Sequence, residues 1–275
     1  MTAQTAAPRT RADLEGVRLQ PGGIIASEVL KLVTVRSTWW SIGVSVALAF
    51  GLALLLGASF TSSDAAVLGG SSLVLSGSTI HLQFVGLVIA VLGALSIGGE
   101  YSTGMIRSTY TAVPHRVPSL IARGLVVGVA AFAVGLVTTS GSFVIVSSML
   151  AGKGAEASLA DDGVVAALLG GALYLAVVGV FSVGLGALFR STAAAIGVAV
   201  GILFVLPVVA SIAGALLRAQ WIADASRLLL SDLGMRISSL GGEGSLGTTA
   251  VFIALALWVV VVWVPALALT RLRDV

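Results

Sequence analysis

The sequence predicts an all-α, polytopic membrane protein with six transmembrane helices and a short helix leading into the first. Three observations predict it. Of 275 residues, 57% are apolar and only 10% charged, where soluble domains run near ~45–50% and ~25%. The mean hydropathy is +1.10. The 15 basic and 12 acidic side chains leave six windows without any charge, at 37–63, 65–99, 124–152, 163–189, 191–217 and 244–270. Each exceeds the ~20 apolar residues a helix needs to cross the hydrocarbon core. The runs are continuously apolar, without the ~10-residue alternating segments of a barrel. An average soluble enzyme, a disordered chain and a secreted disulfide scaffold are excluded. The absence of cysteine removes thiolate metal sites, Cys nucleophiles and disulfides. The two histidines, His81 and His115, make no metal centre.

In chain order, residues 1–22 are polar and basic, lack the apolar core of a signal peptide, and read as a disordered cytoplasmic tail. Residues 23–275 form the transmembrane domain. Between Gly23 and Trp40 an apolar stripe (Ile25, Val29, Leu32) runs beside a more polar side carrying Glu28, Lys31 and Arg36. This predicts either an amphipathic helix at the cytoplasmic interface, with Trp39 and Trp40 at headgroup level, or a plain extension of the first span. The spans are placed near 39–59, 79–98, 122–150, 164–188, 193–216 and 249–270. Outer loops at 60–78 and 151–162 read as short, and no large outer domain exists to suit a receptor. Residues 217–248 form the largest outer loop. Within it Trp221, Ile222, Ala225, Leu228, Leu229 and Leu233 recur at helical spacing, predicting one or two short amphipathic helices. Gly124 and Gly128, and Gly197 and Gly201, are four apart. Such pairs let helices approach closely, within the chain or across a dimer. Pro207 should kink the fifth span.

Charge sets the topology. Arg9, Arg11, Arg18, Lys31, Arg36, Arg107, Arg116, Arg123, Arg190, Arg271 and Arg273 fall on one side of these spans; Lys153, Arg218, Arg227 and Arg236 fall on the other. The excess of basic residues places both termini in the cytoplasm of a plasma-membrane protein. Topology thus accounts for most of the positive charge, and no nucleic-acid partner is needed.

The most specific stretch follows the second span. It runs Gly98-Gly99-Glu100-Tyr101-Ser102-Thr103-Gly104-Met105-Ile106-Arg107-Ser108-Thr109-Tyr110, then Val113-Pro114-His115-Arg116-Val117-Pro118. On physical grounds it is a short interfacial helix ending near Pro114, or a solvated loop. With the six-span layout, these residues resemble the cytoplasmic loop of ABC-2 type transporter permeases. The resemblance is closest to the bacterial antibiotic-export and self-resistance group, whose ATPase is a separate chain, and the architecture it implies is that of a type V exporter. It covers residues 23–275. It implies that Glu100, Tyr101, Thr103, Gly104, Arg107 and Thr109 contact an ABC ATPase, with Glu100 paired to Lys31 or Arg36. It implies two permease copies, as a homodimer, with two ATPase subunits holding ATP and Mg. It also implies a translocation path with candidates His81, Phe84 and Leu87 in the second span and Leu203, Phe204, Leu206 and Val209 in the fifth.

The residues themselves supply no power source. The only Gly-Lys step, Gly152-Lys153, is followed by Gly154, so no phosphate-binding loop exists and the chain is not an ATPase. It binds no cofactor of its own. The charge-free windows also lack the ionisable relay of a proton- or ion-coupled carrier; His81 reads as a pore-mouth or interfacial residue. A path without charge suits a hydrophobic or amphiphilic cargo such as a drug, an antibiotic peptide, a lipid or a glycolipid. The rival class is a non-transporting membrane scaffold or sensor component, which predicts no ATPase partner.

Overall fold

The computed structural model describes residues 21–61, 65–104, 116–151, 155, 157–239 and 247–272, with the backbone alone at 65–69, 102, 103, 116 and 271. All secondary structure in the described residues is helical. Six stretches are long and apolar enough to cross a membrane: Arg36–Thr61, Gly70–Tyr101, Val117–Leu150, Val164–Phe189, Thr192–Leu217 and Thr248–Thr270.

Helix α1 (Pro21–Thr34) starts on a proline, whose missing N–H is one of those left unpaired at a helix start. It stops one residue before α2 (Arg36–Thr61). The last turn's carbonyls are taken up locally: Thr34 Oγ1 donates to the Leu30 carbonyl at 2.8 Å, and Trp39 Nε1 to that of Val33 at 2.9 Å. The burial pattern of α1 is only partly that of its apolar stripe: Leu32 packs on the core and Ile25 is half-buried. Val29, Leu30 and Val33 are exposed, while Glu28 is its buried residue. The charged side of this helix therefore faces protein.

Along α2 the buried residues are Thr38, Ser45, Ala49, Ala53 and Gly57. This narrow, small-residue stripe lets α5 (Arg116–Leu150) come close enough for Ser142 Oγ to donate to the Ala49 carbonyl at 3.3 Å. The 60–78 segment, read from sequence as a loop, is mostly α3 (Ala65–Thr79). Its hydroxyls explain the difference. Ser76, Ser78 and Thr79 donate back to the carbonyls of Ser72, Val74 and Leu75 at 2.6–2.8 Å. Thus satisfied, a Ser/Thr-rich helix packs Val74 and Leu75 against Val146 and Leu150. A turn at Ile80 and His81 separates α3 from α4 (Leu82–Thr103).

Helix α6 (Val164–Phe189) is the axis of the bundle. It is apolar on every side, as a helix at the centre of a membrane bundle can be, and it is the best covered of the six, with 61% of its apolar window buried. Packed on it are α4, α5 and α11 (Thr248–Leu272). The fifth span is the least covered, with 17% buried. It consists of α7 (Thr192–Val200), a π-helical turn Gly201–Val205 and α8 (Leu206–Leu217). Pro207 lacks an N–H and its ring crowds the preceding turn; the widened turn, with the Leu206 N–H reaching the Gly201 carbonyl, accommodates it. Between the last two spans lie α9 (Gln220–Ser226) and α10 (Leu230–Ile237). The Trp258 indole N–H donates to the Leu228 carbonyl at 2.9 Å and pins the link between them to α11.

Candidate functional site

Four charged side chains from three helices meet at the end of the bundle where α1 lies. Glu28 and Lys31 are one helical turn apart on α1, Glu100 sits in the last turn of α4, and Arg123 in the second turn of α5. Lys31 Nζ donates to Glu28 Oε1 at 2.8 Å and to Glu100 Oε1 at 2.9 Å. Arg123 Nε donates to Glu28 Oε2 at 2.7 Å, its Nη2 to Glu100, and its Nη1 to the Ser96 carbonyl at 3.0 Å. The result is a closed ring of alternating charge. Side-chain exposure is 4% for Glu28, 3% for Glu100 and 6% for Arg123, against 33% for Lys31. Buried charge is tolerable only when its partners and remaining protons are satisfied; the flat guanidinium does this by addressing two carboxylates and a carbonyl together.

The ring revises two sequence-based readings. The α5 helix begins at Arg116, not at 122, so Arg123 is a buried helical residue and not a topogenic loop base. Pro118 was the available clue, because proline is welcome in a helix's first turn as well as in a loop. Two of the spanning helices also carry ionised residues, Glu100 and Arg123, each one position beyond a charge-free window. Of the two bases of α1 and α2 proposed for Glu100, Lys31 makes the contact; Arg36 is exposed at the start of α2.

Immediately after Glu100, α4 ends. Gly104 adopts φ 73°, ψ 2°, and its N–H reaches back to the Tyr101 carbonyl at 3.4 Å. Gly104 thus has a local reason to be glycine as the left-handed cap of α4. Tyr101 turns toward the bundle, with the Arg190 guanidinium 5.6 Å from its ring centre. Thr103 lies in the last turn of α4, its side chain not described; Arg107 and Thr109 lie outside the described residues.

No protein-family model and no curated protein matches the chain. The site is therefore read from its geometry. Beside the ring, between α1, α2, α4 and α5, lies a cavity of about 590 Å³ whose walls are mainly apolar. Among the described residues, no group of three or more His, Asp or Glu could hold a metal ion.

The candidate path residues divide between two faces. Leu203 is buried and Leu87 partly buried in the central cluster, and His81 is buried at the α3–α4 turn. Phe84, Phe204, Leu206 and Val209 point outward. Within one chain, then, four of the seven face outward and three are buried or partly buried. The two glycine pairs divide as well. A side chain at Gly124 would strike Trp263 and one at Gly128 would strike Val180, whereas Gly197 and Gly201 face open space. The first pair serves packing within the chain.

Proposed function

We propose that the chain is the permease half of an ATP-driven exporter of the ABC-2 type, carrying a hydrophobic or amphiphilic substrate out of the cell. The observation that supports this best is the ionic ring, because of what it brackets. Segment 105–115 leaves α4 within about a turn of Glu100 and returns into α5 about two turns before Arg123. Both ends are clamped to one another and to α1. A push on that segment by a closing ATPase is delivered to three helices as one body, where an unclamped loop would absorb it. Because the ring is neutral and each carboxylate meets both cations, it suits a mechanical tie better than a proton carrier.

In this reading two copies of the chain meet along the fifth span. Its exposed Gly197 and Gly201 offer close backbone approach, and Phe204, Leu206 and Val209 turn toward the partner. Both termini and α1 lie on the cytoplasmic side, α1 at the interface with its apolar side in lipid. ATP and Mg belong to the ATPase subunits.

Gentle detergent extraction from native cells, with the complex weighed and its partners identified by mass spectrometry, tests the reading. Two copies of the chain with two ATPase subunits is the expected composition. Recovery alone, or with a partner that is no ATPase, would replace it with the scaffold reading. The dimer is tested separately. Gly197→Leu has room within the chain, so it should abolish cross-linking between copies while leaving the monomer folded.

A further inference from the structure

The cavity beside the ring has a function of its own to offer, independent of transport and of any ATPase. It is walled by Leu32, Val35, Leu92, Leu95, Val126 and Val127 and floored by the ring with Ser37 and Thr38. Its volume of about 590 Å³ lies within the ~300–1,000 Å³ usual for small-molecule sites. The polar and apolar parts are separated along its depth. Leu92 is eight residues before Glu100 on α4, which places it ~12 Å further into the bundle. An occupant must therefore have a polar head at the ring and an apolar chain along α4 and α5.

The polarity of that head follows from what the ring leaves available. Glu28 gives one oxygen to Lys31 and the other to Arg123, and Arg123 is itself buried. Lys31 is the partly exposed member and uses two of its three protons on carboxylates. Glu100 lines the floor as well and meets both cations through Oε1; beside these paired carboxylates the floor offers donors in the remaining ammonium proton and the hydroxyls of Ser37 and Thr38. Donors over an apolar slot match a phosphate that carries acyl chains. The surroundings agree, since Trp39 and Trp40, one and two residues beyond Thr38, are both exposed, as residues at a headgroup layer are.

We propose that this cavity binds one phospholipid from the adjoining leaflet, its phosphodiester against Lys31, Ser37 and Thr38 and one acyl chain between α4 and α5. The ring then acts as the polar floor of a lipid site as well as a tie between helices.

The test uses the purified full chain in uncharged detergent, stripped of lipid and followed by native mass spectrometry. The probes are dioleoylphosphatidylglycerol, whose headgroup has no ammonium to seek the carboxylates, dioleoylglycerol, which lacks the phosphate, and glycerol 3-phosphate, which lacks the chains. One equivalent of the phospholipid should be retained. Dioleoylglycerol should bind at least about tenfold more weakly, and glycerol 3-phosphate should not displace the lipid. Gly99 lines the cavity, and a Cβ there meets nothing within 4 Å. Gly99→Leu therefore fills the slot without touching a charge. It should weaken phospholipid binding at least about tenfold, by the loss of buried chain area, with an unchanged melting temperature in lipid-free detergent. Unsaturable binding of many equivalents, equal retention of dioleoylglycerol, displacement by glycerol 3-phosphate, or full binding by a folded Gly99→Leu variant would each overturn the proposal. The three probes on the unaltered chain decide the matter even if the variant fails to fold.

Discussion

The two ends of the bundle bury polar groups in opposite ways. At the end bearing α1, Glu28, Glu100 and Arg123 are buried and joined with Lys31 in a ring of charge-assisted hydrogen bonds. At the other end, both ring nitrogens of His81, the Ser231 hydroxyl and Arg236 Nε are buried with no partner in bonding geometry among the described residues. The Ser78 backbone lies beside the His81 ring without such geometry. Each unpaired group costs ~1–3 kcal/mol. The ring end is therefore where polar contacts hold helices together. At the far end apolar contacts do most of the holding, through Leu82, Leu230, Leu233 and Tyr174, with the Trp258–Leu228 hydrogen bond beside them, and the unpaired groups work against them.

The comparison can be broken most forcefully at Arg123. Arg123→Met leaves two buried carboxylates with Lys31 alone and should cost ~3–5 kcal/mol, read as a fall in melting temperature in detergent. Adding Glu28→Gln and Glu100→Gln should restore much of that loss, because no buried carboxylate is left short of a partner and the remaining Lys31 ammonium is a third exposed. No recovery would mean that the ring's contribution is packing and not charge pairing. Lys31→Met comes next. Lys31 is a third exposed, so water compensates part of the loss and the effect should stay below that of Arg123→Met.

At the far end the sign reverses. His81→Leu removes two unsatisfied nitrogens and should leave stability unchanged or raise it by ~1–2 kcal/mol; a clear loss would reveal a partner for the ring. The smallest effect belongs to Asp232 on α10. Burial pushes its carboxyl above the ordinary value, with the charge of Arg236 opposing. A raised acid favours the folded state below the ordinary Asp value of ~3.9 and loses that advantage as pH climbs through the raised one. Asp232→Asn should therefore melt slightly higher than the unaltered chain at pH 7, with the difference gone below about pH 4.

The positions of the spans were legible because hydropathy and charge act along the chain. Continuous apolar runs and their charged borders place helices without knowledge of neighbours. The helix at 65–79 was not legible, since its Ser and Thr hydroxyls bond to their own backbone, which composition does not reveal. Half of the ring was reached through the resemblance, which implies Glu100 paired with Lys31 or Arg36; the contact is with Lys31. Arg123 was missed because a base at the edge of an apolar run looks the same whether it faces water or two carboxylates. The buried charged face of α1 was hidden for a similar reason. Spacing shows that a helix has two sides, and only packing shows which of them meets protein.

The burial of that face has a consequence for biosynthesis. The carboxylate of Glu28 accepts from Lys31 three residues on and from an arginine 95 residues downstream, and at ~5–20 residues per second the ribosome needs about 5–20 s to reach the second. Until then α1 has an acid with no seat in the bundle. Its charged side is seated only once α4 and α5 are in place, so a helix translated before them is secured after them. The interval is one in which a protease or chaperone can distinguish an unfinished chain from a finished one.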